Sequence, residues 1–180
     1  GVQGNGQTQL VEALTGLRSV DGGRVMIGGV DTTHSSPRHI TEVGVAHVPE
    51  DRQREGLVQT MSVADNITLP NRGVLSNLNI LAPSKIVSFS KALAEKVGLR
   101  PPKIELLVGD FSGGNQQKVA LAKWLGREPD VIILDEPTRG VDVGAKAEIH
   151  RLVRDLADNG LSIFMNRFNP AKHPYATDLR

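Results

Sequence analysis

The stretch VIILDEPT, residues 131–138, is a short apolar run that ends on two adjacent acids. Five apolar or strand-ending residues bounded by polar punctuation predict a strand buried on both faces, the kind found inside parallel sheets. Such a strand sets Asp135 at the carboxyl edge of the sheet, where a carboxylate holds Mg²⁺ through water. Glu136 follows beside it, placed to polarise an attacking water. The plainer alternative is a strand that ends in a solvated acidic turn.

The flanking sequence keeps a strand and helix rhythm. A helix is expected over 114–125, a long amphipathic helix over 144–157 and a strand, LSIFM, over 161–165. Near the start, Leu10, Val11, Leu14 and Leu17 recur at helical spacing directly after Gly6. Val25 and Ile27 then alternate as in a short strand before a Gly turn, Pro37 suits the first turn of a small helix, and VGVAHV (43–48) reads as a buried strand. This alternation predicts an α/β fold with a parallel sheet. Between about Asp51 and Ser112 the pattern changes: SVADNITLP opens on a serine cap, and Ile86, Phe89, Leu93 and Val97 fall at helical steps before Pro101 and Pro102. That segment reads as an inserted helical subdomain. The expected division is a core of residues 1–50 and 119–165, a helical subdomain of 51–118, and an aperiodic tail of 166–180 that is loop or disordered.

Composition narrows the function. With 180 residues the chain is one domain's worth, and 21 basic against 20 acidic residues leave a net charge of +1 with no basic block. A nucleic-acid partner is therefore not expected. Cysteine is absent, which excludes a disulfide framework and a thiolate metal site and fits a reducing compartment. No run of 18 or more apolar residues is present, so any membrane that the protein serves is crossed by another chain.

Two further stretches carry chemistry. GVQGNGQT, residues 1–8, has the glycine and hydroxyl spacing of a phosphate-binding loop, in which backbone N–H groups converge on phosphate oxygens and the hydroxyl binds Mg²⁺. Gln7 stands where such a loop carries lysine, and a Gly-rich turn before a helix is the plain alternative. FSGGNQQK, residues 111–118, opens a helix whose free N–H groups and positive dipole end suit an anion, or else is an ordinary serine cap with a flexible approach.

A phosphate loop, FSGGNQQK and DEPTRGVD, in that order, resemble the nucleotide-binding domain of ATP-binding cassette (ABC) transporters over about residues 1–165. The wording GVQGNGQTQLVEALTG, PEDRQREGL, SGGNQQK and DEPTRGVDVGAK is similar to the second ATPase half of fused simple-sugar and nucleoside importer subunits. The resemblance implies a P-loop NTPase (RecA-like) core with an inserted helical subdomain that docks on membrane-spanning subunits. It implies ATP and Mg²⁺ as cofactors. Gly1, Gly4, Asn5, Gly6, Gln7 and Thr8 become the Walker A set, Asp135 the Walker B acid and Glu136 the general base. Ser112, Gly113, Gly114 and Gln116 fall in the signature motif, and Asp142 falls either at the D-loop of a dimer interface or at a helix cap. Thr8, Asp135 and Glu50 are the metal candidates, Glu50 lying where the family has its Q-loop glutamine. Implied partners are a second ATPase half in a head-to-tail dimer, transmembrane permease subunits and, indirectly, a solute-binding protein, at the cytoplasmic face of the plasma membrane.

The sequence also departs from the family. The strand that feeds the loop and the aromatic that stacks on adenine would precede Gly1, so a truncated domain is expected. Asn166, Arg167 and Phe168 occupy the neighbourhood of the switch histidine, and His173 comes too late to replace it on spacing. Losing the lysine removes a charge contact worth roughly 2–5 kcal/mol, which predicts a weak or silent site at residues 1–8. Three readings result: an importer ATPase, a non-hydrolytic dimerisation module whose signature helix completes the partner's site, and a soluble ABC ATPase of DNA repair or translation, which the near-neutral charge disfavours.

Overall fold

The computed structural model describes residues 6–77 and 80–166. Gly1, Gly4 and Asn5 of the expected phosphate loop, and residues 167–180 of the expected tail, lie outside the described residues.

Helix α1 (Gln7–Leu14) starts directly after Gly6, whose φ of 80° is the left-handed turn that glycine takes without strain. Only part of its expected apolar face is used. Val11 is buried and Leu14 packs beside it, while Leu10 and Leu17 are exposed. Strands β1 (Met26–Ile27) and β2 (Val30–Asp31) form an antiparallel hairpin of their own. The short strand expected around Val25 and Ile27 before a Gly turn is β1, set in this hairpin apart from the parallel sheet. Gly28 and Gly29, both at positive φ, turn the chain back at once, and a two-residue turn can join only antiparallel neighbours.

Helix α2 (Pro37–Glu42) has Pro37 at its first position and the Ser36 side chain accepting from the His39 N–H. It leads into β3 (Val45–Val48). A π-helical turn, Arg52–Gly56, comes next. Helix α3 (Val63–Thr68) is set by a reciprocal capping box between Ser62 and Asp65. A single 3₁₀ turn, Leu69–Asn71, joins it to α4 (Arg72–Leu75), and the small hairpin β4 (Ser76–Asn77) and β5 (Ile80–Leu81) precedes α5 (Pro83–Lys96). Helix α6 (Gly113–Leu125), β6 (Val131–Asp135), α7 (Val143–Asp158) and β7 (Ser162–Asn166) complete the described order.

Strands β3, β6 and β7 form a parallel sheet in that order, with β6 in the centre. The register pairs His47 with Ile133 and Asp135 with Asn166. Because side chains alternate along a strand, Val45, His47, Ile133 and Asp135 share one face, and Ala46, Val48, Ile132 and Leu134 the other. The first face meets α1 and α2 through Val11 and Ile40, and the second meets α6. Helix α6 is buried on nearly every side, as a helix must be when it packs on a sheet and on three other helices, here α3, α5 and α7. It runs unbroken across residue 118, where the sequence placed the edge of the helical segment.

The helical segment is pinned from inside by Asn66, which is fully buried. Its amide donates to the carbonyls of Val58 (3.0 Å) and Ser62 (3.0 Å), and its carbonyl accepts the Val58 N–H at 2.8 Å. Removing that side chain strands several buried backbone groups. Asn66→Ala is expected to cost about 1–3 kcal/mol of stability in urea titrations, against about 1 kcal/mol or less for Asn115→Ala at a half-buried site.

Candidate functional site

The carboxyl end of β6 is where the sequence placed the chemistry. Ile132 and Leu134 are fully buried, so the strand reaches the sheet edge with no freedom to shift register. Asp135 is only 8% exposed. The Asn166 amide at the end of β7 donates to its Oδ1 at 2.6 Å, fixing the carboxylate plane and leaving Oδ2 to face other partners. Next along the chain, Glu136 has φ 46°, a left-handed conformation that side-chain-bearing residues adopt at a cost. The Asn166 carbonyl holds it there by accepting the Glu136 N–H at 2.9 Å, and the Arg139 N–H returns to the Glu136 carbonyl at 2.9 Å. The backbone thus leaves the extended path of β6 at Glu136, immediately after the fixed Asp135.

Behind Asp135 on the same sheet face stands His47. Burial pushes its imidazole below the ordinary value, and the Asp135 carboxylate partly restores it. Its Nε2 has no hydrogen-bond partner among the described residues. The ring borders a cleft of about 260 Å³ that Thr15, Ile40, Pro49, Lys123 and Trp124 also line.

The second element is the start of α6. Ser112 sits at the cap position, yet its hydroxyl makes no capping bond, and no acid lies in the first turn. The ordinary serine cap is therefore not what the structure uses. The hydroxyl instead accepts from the Asn115 amide at 3.3 Å, and Asn115 also bridges to the Arg100 backbone. The two glycines are required by contact: a β-carbon on Gly113 would lie 2.6 Å from the Gly140 carbonyl oxygen, and one on Gly114 would lie 2.5 Å from the Ala145 β-carbon. The start of α6 thus rests directly on the turn after β6 and on the first turn of α7.

Asp142 caps α7, its carboxylate accepting the Ala145 N–H at 2.8 Å. Gln116 is buried, donating to the carbonyls of Val108 and Phe111 and accepting from the Gln53 amide. Its amide is thus engaged within the chain. Glu50 forms an ion pair with Arg139. Among the described residues no group of three or more His, Cys, Asp or Glu could hold a metal ion. Gln7 and Thr8 occupy the first turn of α1, where Thr8 is exposed.

Sequence reasoning misses four residues here. Asn166 falls in the expected tail, although its register opposite Asp135 makes it the natural partner of that carboxylate. His47 reads only as part of an apolar strand. Arg52, within PEDRQREGL, reads as a solvated loop charge but is 7% exposed. Lys118 closes FSGGNQQK and is buried, donating to the Gly98 carbonyl and to Glu148 of α7, both within 2.9 Å.

A parallel sheet whose central strand ends on paired acids, flanked by a glycine-started helix, defines an α/β fold of the P-loop NTPase class. A solved ATP-binding cassette of an ABC transporter has the same fold, with a TM-score of 0.77 at 24% identity over 91% of this chain and 66% of that one. The model of the ABC transporter family matches residues 1–139, and the chain belongs to that family. It is 42% identical over 165 residues to the ribose import ATP-binding protein RbsA of Lactococcus lactis subsp. cremoris, covering 92% of this chain and 34% of that protein. It is also 42% identical over 170 residues to the nucleoside import ATP-binding protein NupA of the same subspecies, covering 93% of this chain and 34% of that protein. The chain spans about a third of the length of the curated relatives it matches.

His47 gives the site a testable pH signature. Since the folded imidazole titrates below its ordinary value of 6.5, the unfolded chain takes up the proton first as pH falls. The stability contributed by the neutral ring is full above that value and is lost as pH drops below it. Denaturation midpoints measured from about pH 7.5 to about 5.5 are expected to fall for the wild type and to fall less steeply for His47→Leu.

Proposed function

We infer that the chain is an ATP-binding, ATP-hydrolysing part of an ABC importer that takes up a simple sugar or a nucleoside. One observation carries this reading: a buried strand delivers Asp135 to the sheet edge, Asn166 holds its carboxylate, and Glu136 follows directly on strained backbone. A fixed carboxylate followed at once by a second acid suits a metal holder beside a general base. The curated names of the relatives supply the importer class and the two kinds of solute.

The donor set fits Mg²⁺. Asp135 offers one hard carboxylate oxygen and Thr8 a hydroxyl, and a cation that keeps most of its shell as water and phosphate oxygens needs no fuller protein cage. Glu50 shares one carboxylate oxygen with Arg139, so its second oxygen could join the set. Bound Mg²⁺ would offset phosphate charge, while Glu136 accepts the proton of the attacking water. Gly6 and the first turn of α1, with Gly1, Gly4, Asn5, Gln7 and Thr8, would cradle phosphates of this chain's own nucleotide. Ser112, Gly113 and Gly114 would meet the γ-phosphate held by a second ATPase half in a head-to-tail dimer. Asp142 would approach that partner from the cap of α7.

No helix among the described residues is long and apolar enough to cross a membrane. The proposed place is the cytoplasmic face of the plasma membrane, with permease subunits pressing on the helical segment 51–118 and on the cleft beside Pro49, and a solute-binding protein acting across the membrane. Gln7 supports a second reading, in which this half hydrolyses nothing and its signature helix completes the partner's site.

Glu136→Gln separates the two. In the assembled transporter it is expected to lower ATP turnover at this half's site by about 10²–10⁴-fold with nucleotide binding retained. Unaltered turnover would establish the non-hydrolytic module instead.

A further inference from the structure

One buried charge that the proposed reaction leaves unused is Arg52, the first residue of the π-helical turn after β3. Its Nη1 donates to the Arg139 carbonyl at 2.7 Å and its Nη2 to the Gly140 carbonyl at 3.2 Å. A β-carbon on Gly113 would lie 2.7 Å from the same Nη2. One guanidinium therefore touches the start of α6 and the turn that leads to Asp142. Its Nε is buried with no partner among the described residues, and desolvation pulls its pKa down against the smaller opposing pull of the Asp51 carboxylate.

This is a costly place for a cation. A buried guanidinium satisfied by two neutral carbonyls keeps much of its desolvation penalty, and a positive charge beside a helix N-terminus opposes the helix dipole. Nothing in the first turn of α6 offsets it, since no acid and no side-chain cap are there. Both costs become gains when an anion sits on those amides, because the guanidinium and the helix end then add their fields at one point.

The neighbouring contacts make the turn stiff enough to act as a strut. The Gln53 amide donates to Gln116 of α6 at 3.1 Å, the Lys123 ammonium of α6 donates to the Gly56 carbonyl at 2.8 Å, and Glu50 pairs with Arg139. Both ends of the π-helical turn are thus anchored to α6, while its first residue is anchored to the turn after β6. We propose that Arg52 is a positioning residue for the phosphate site at the start of α6, binding residues 112–114 and the turn of Arg139 and Gly140 into one unit and placing a fixed positive charge behind the phosphate-facing amides. The inference rests on the reading of that helix start as a nucleotide-phosphate site.

The test uses Arg52→Met and Arg52→Lys in the full-length polypeptide with its partner subunits. The Met variant keeps the stem and removes charge and donors; the Lys variant keeps charge but cannot fork onto two carbonyls. Arg52→Met is expected to lower kcat about ten- to a hundredfold with KM for ATP nearly unchanged, since it misplaces a group rather than removing uniform binding. Arg52→Lys is expected to recover only part of that loss. Hydrogen exchange of Arg52→Met is expected to quicken together at residues 112–115 and 139–143, with β6 and α3 unaltered. Unchanged kcat in both variants, exchange that rises in one segment alone, or exchange that rises throughout the chain would each overturn the proposal. Should the wild type itself turn over no ATP, the hydrolytic reading falls, and the paired exchange result still decides whether Arg52 joins the two turns.

Discussion

Strand β6 is hydrogen-bonded to a neighbour on each edge and buried on both faces, and the placement of every proposed catalytic group derives from that double constraint. Ile132 and Leu134 cannot leave the α6 side without exposing apolar surface, and Ile133 cannot leave the α1 side. A slip of one residue would exchange the two faces and break both ladders. Asp135 is therefore delivered to one position at the sheet edge, and the residues after it begin from a fixed point.

The turn beyond Asp135 is polar and strained, in contrast to the apolar strand itself. Asn166 serves both acids at once, holding the Asp135 carboxylate with its side chain and the Glu136 N–H with its carbonyl. The turn then passes beneath Gly113 and reaches Asp142, which caps α7. Between these turns the protein keeps two buried cations, Arg52 on two carbonyls and Lys118 on Gly98 and Glu148, and a half-buried one, Lys123 on Gly56. Buried cations on backbone carbonyls contribute little net stability, but they fix orientation, because their hydrogen bonds have no equivalent alternative partners. Helix α6 is held by such contacts at its start, middle and end.

The sequence is most legible where one physical signal dominates. VIILD can only be a buried strand, Ser62 followed by Asp65 is a capping signature, and the long periodic helices α6 and α7 lie within one residue of their expected bounds. Local pattern misleads where the answer depends on a distant residue. Val25 and Ile27 alternate like a core strand, but Gly28 and Gly29 turn the chain before it can reach the sheet. Gln116 follows the glycines of FSGGNQQK, and nothing local shows that the carbonyls of Val108 and Phe111 take its amide. Arg52 gives no local sign of burial, since its acceptors lie 87 and 88 residues further along the chain. Asn166 is likewise explained only by the register of two strands, which sets it against an aspartate 31 residues away in sequence.

The central claim is that Asp135, fixed at the end of β6, organises a Mg²⁺-dependent nucleotide site. Calorimetric titration of the full-length polypeptide with ATP, with and without Mg²⁺, tests it when paired with Asp135→Asn, which keeps the shape of the side chain and removes its charge. The account predicts that Mg²⁺ strengthens ATP binding to the wild type and that the substitution abolishes this Mg²⁺ enhancement at the site of this half. A Mg²⁺ enhancement of the same size in Asp135→Asn would contradict it.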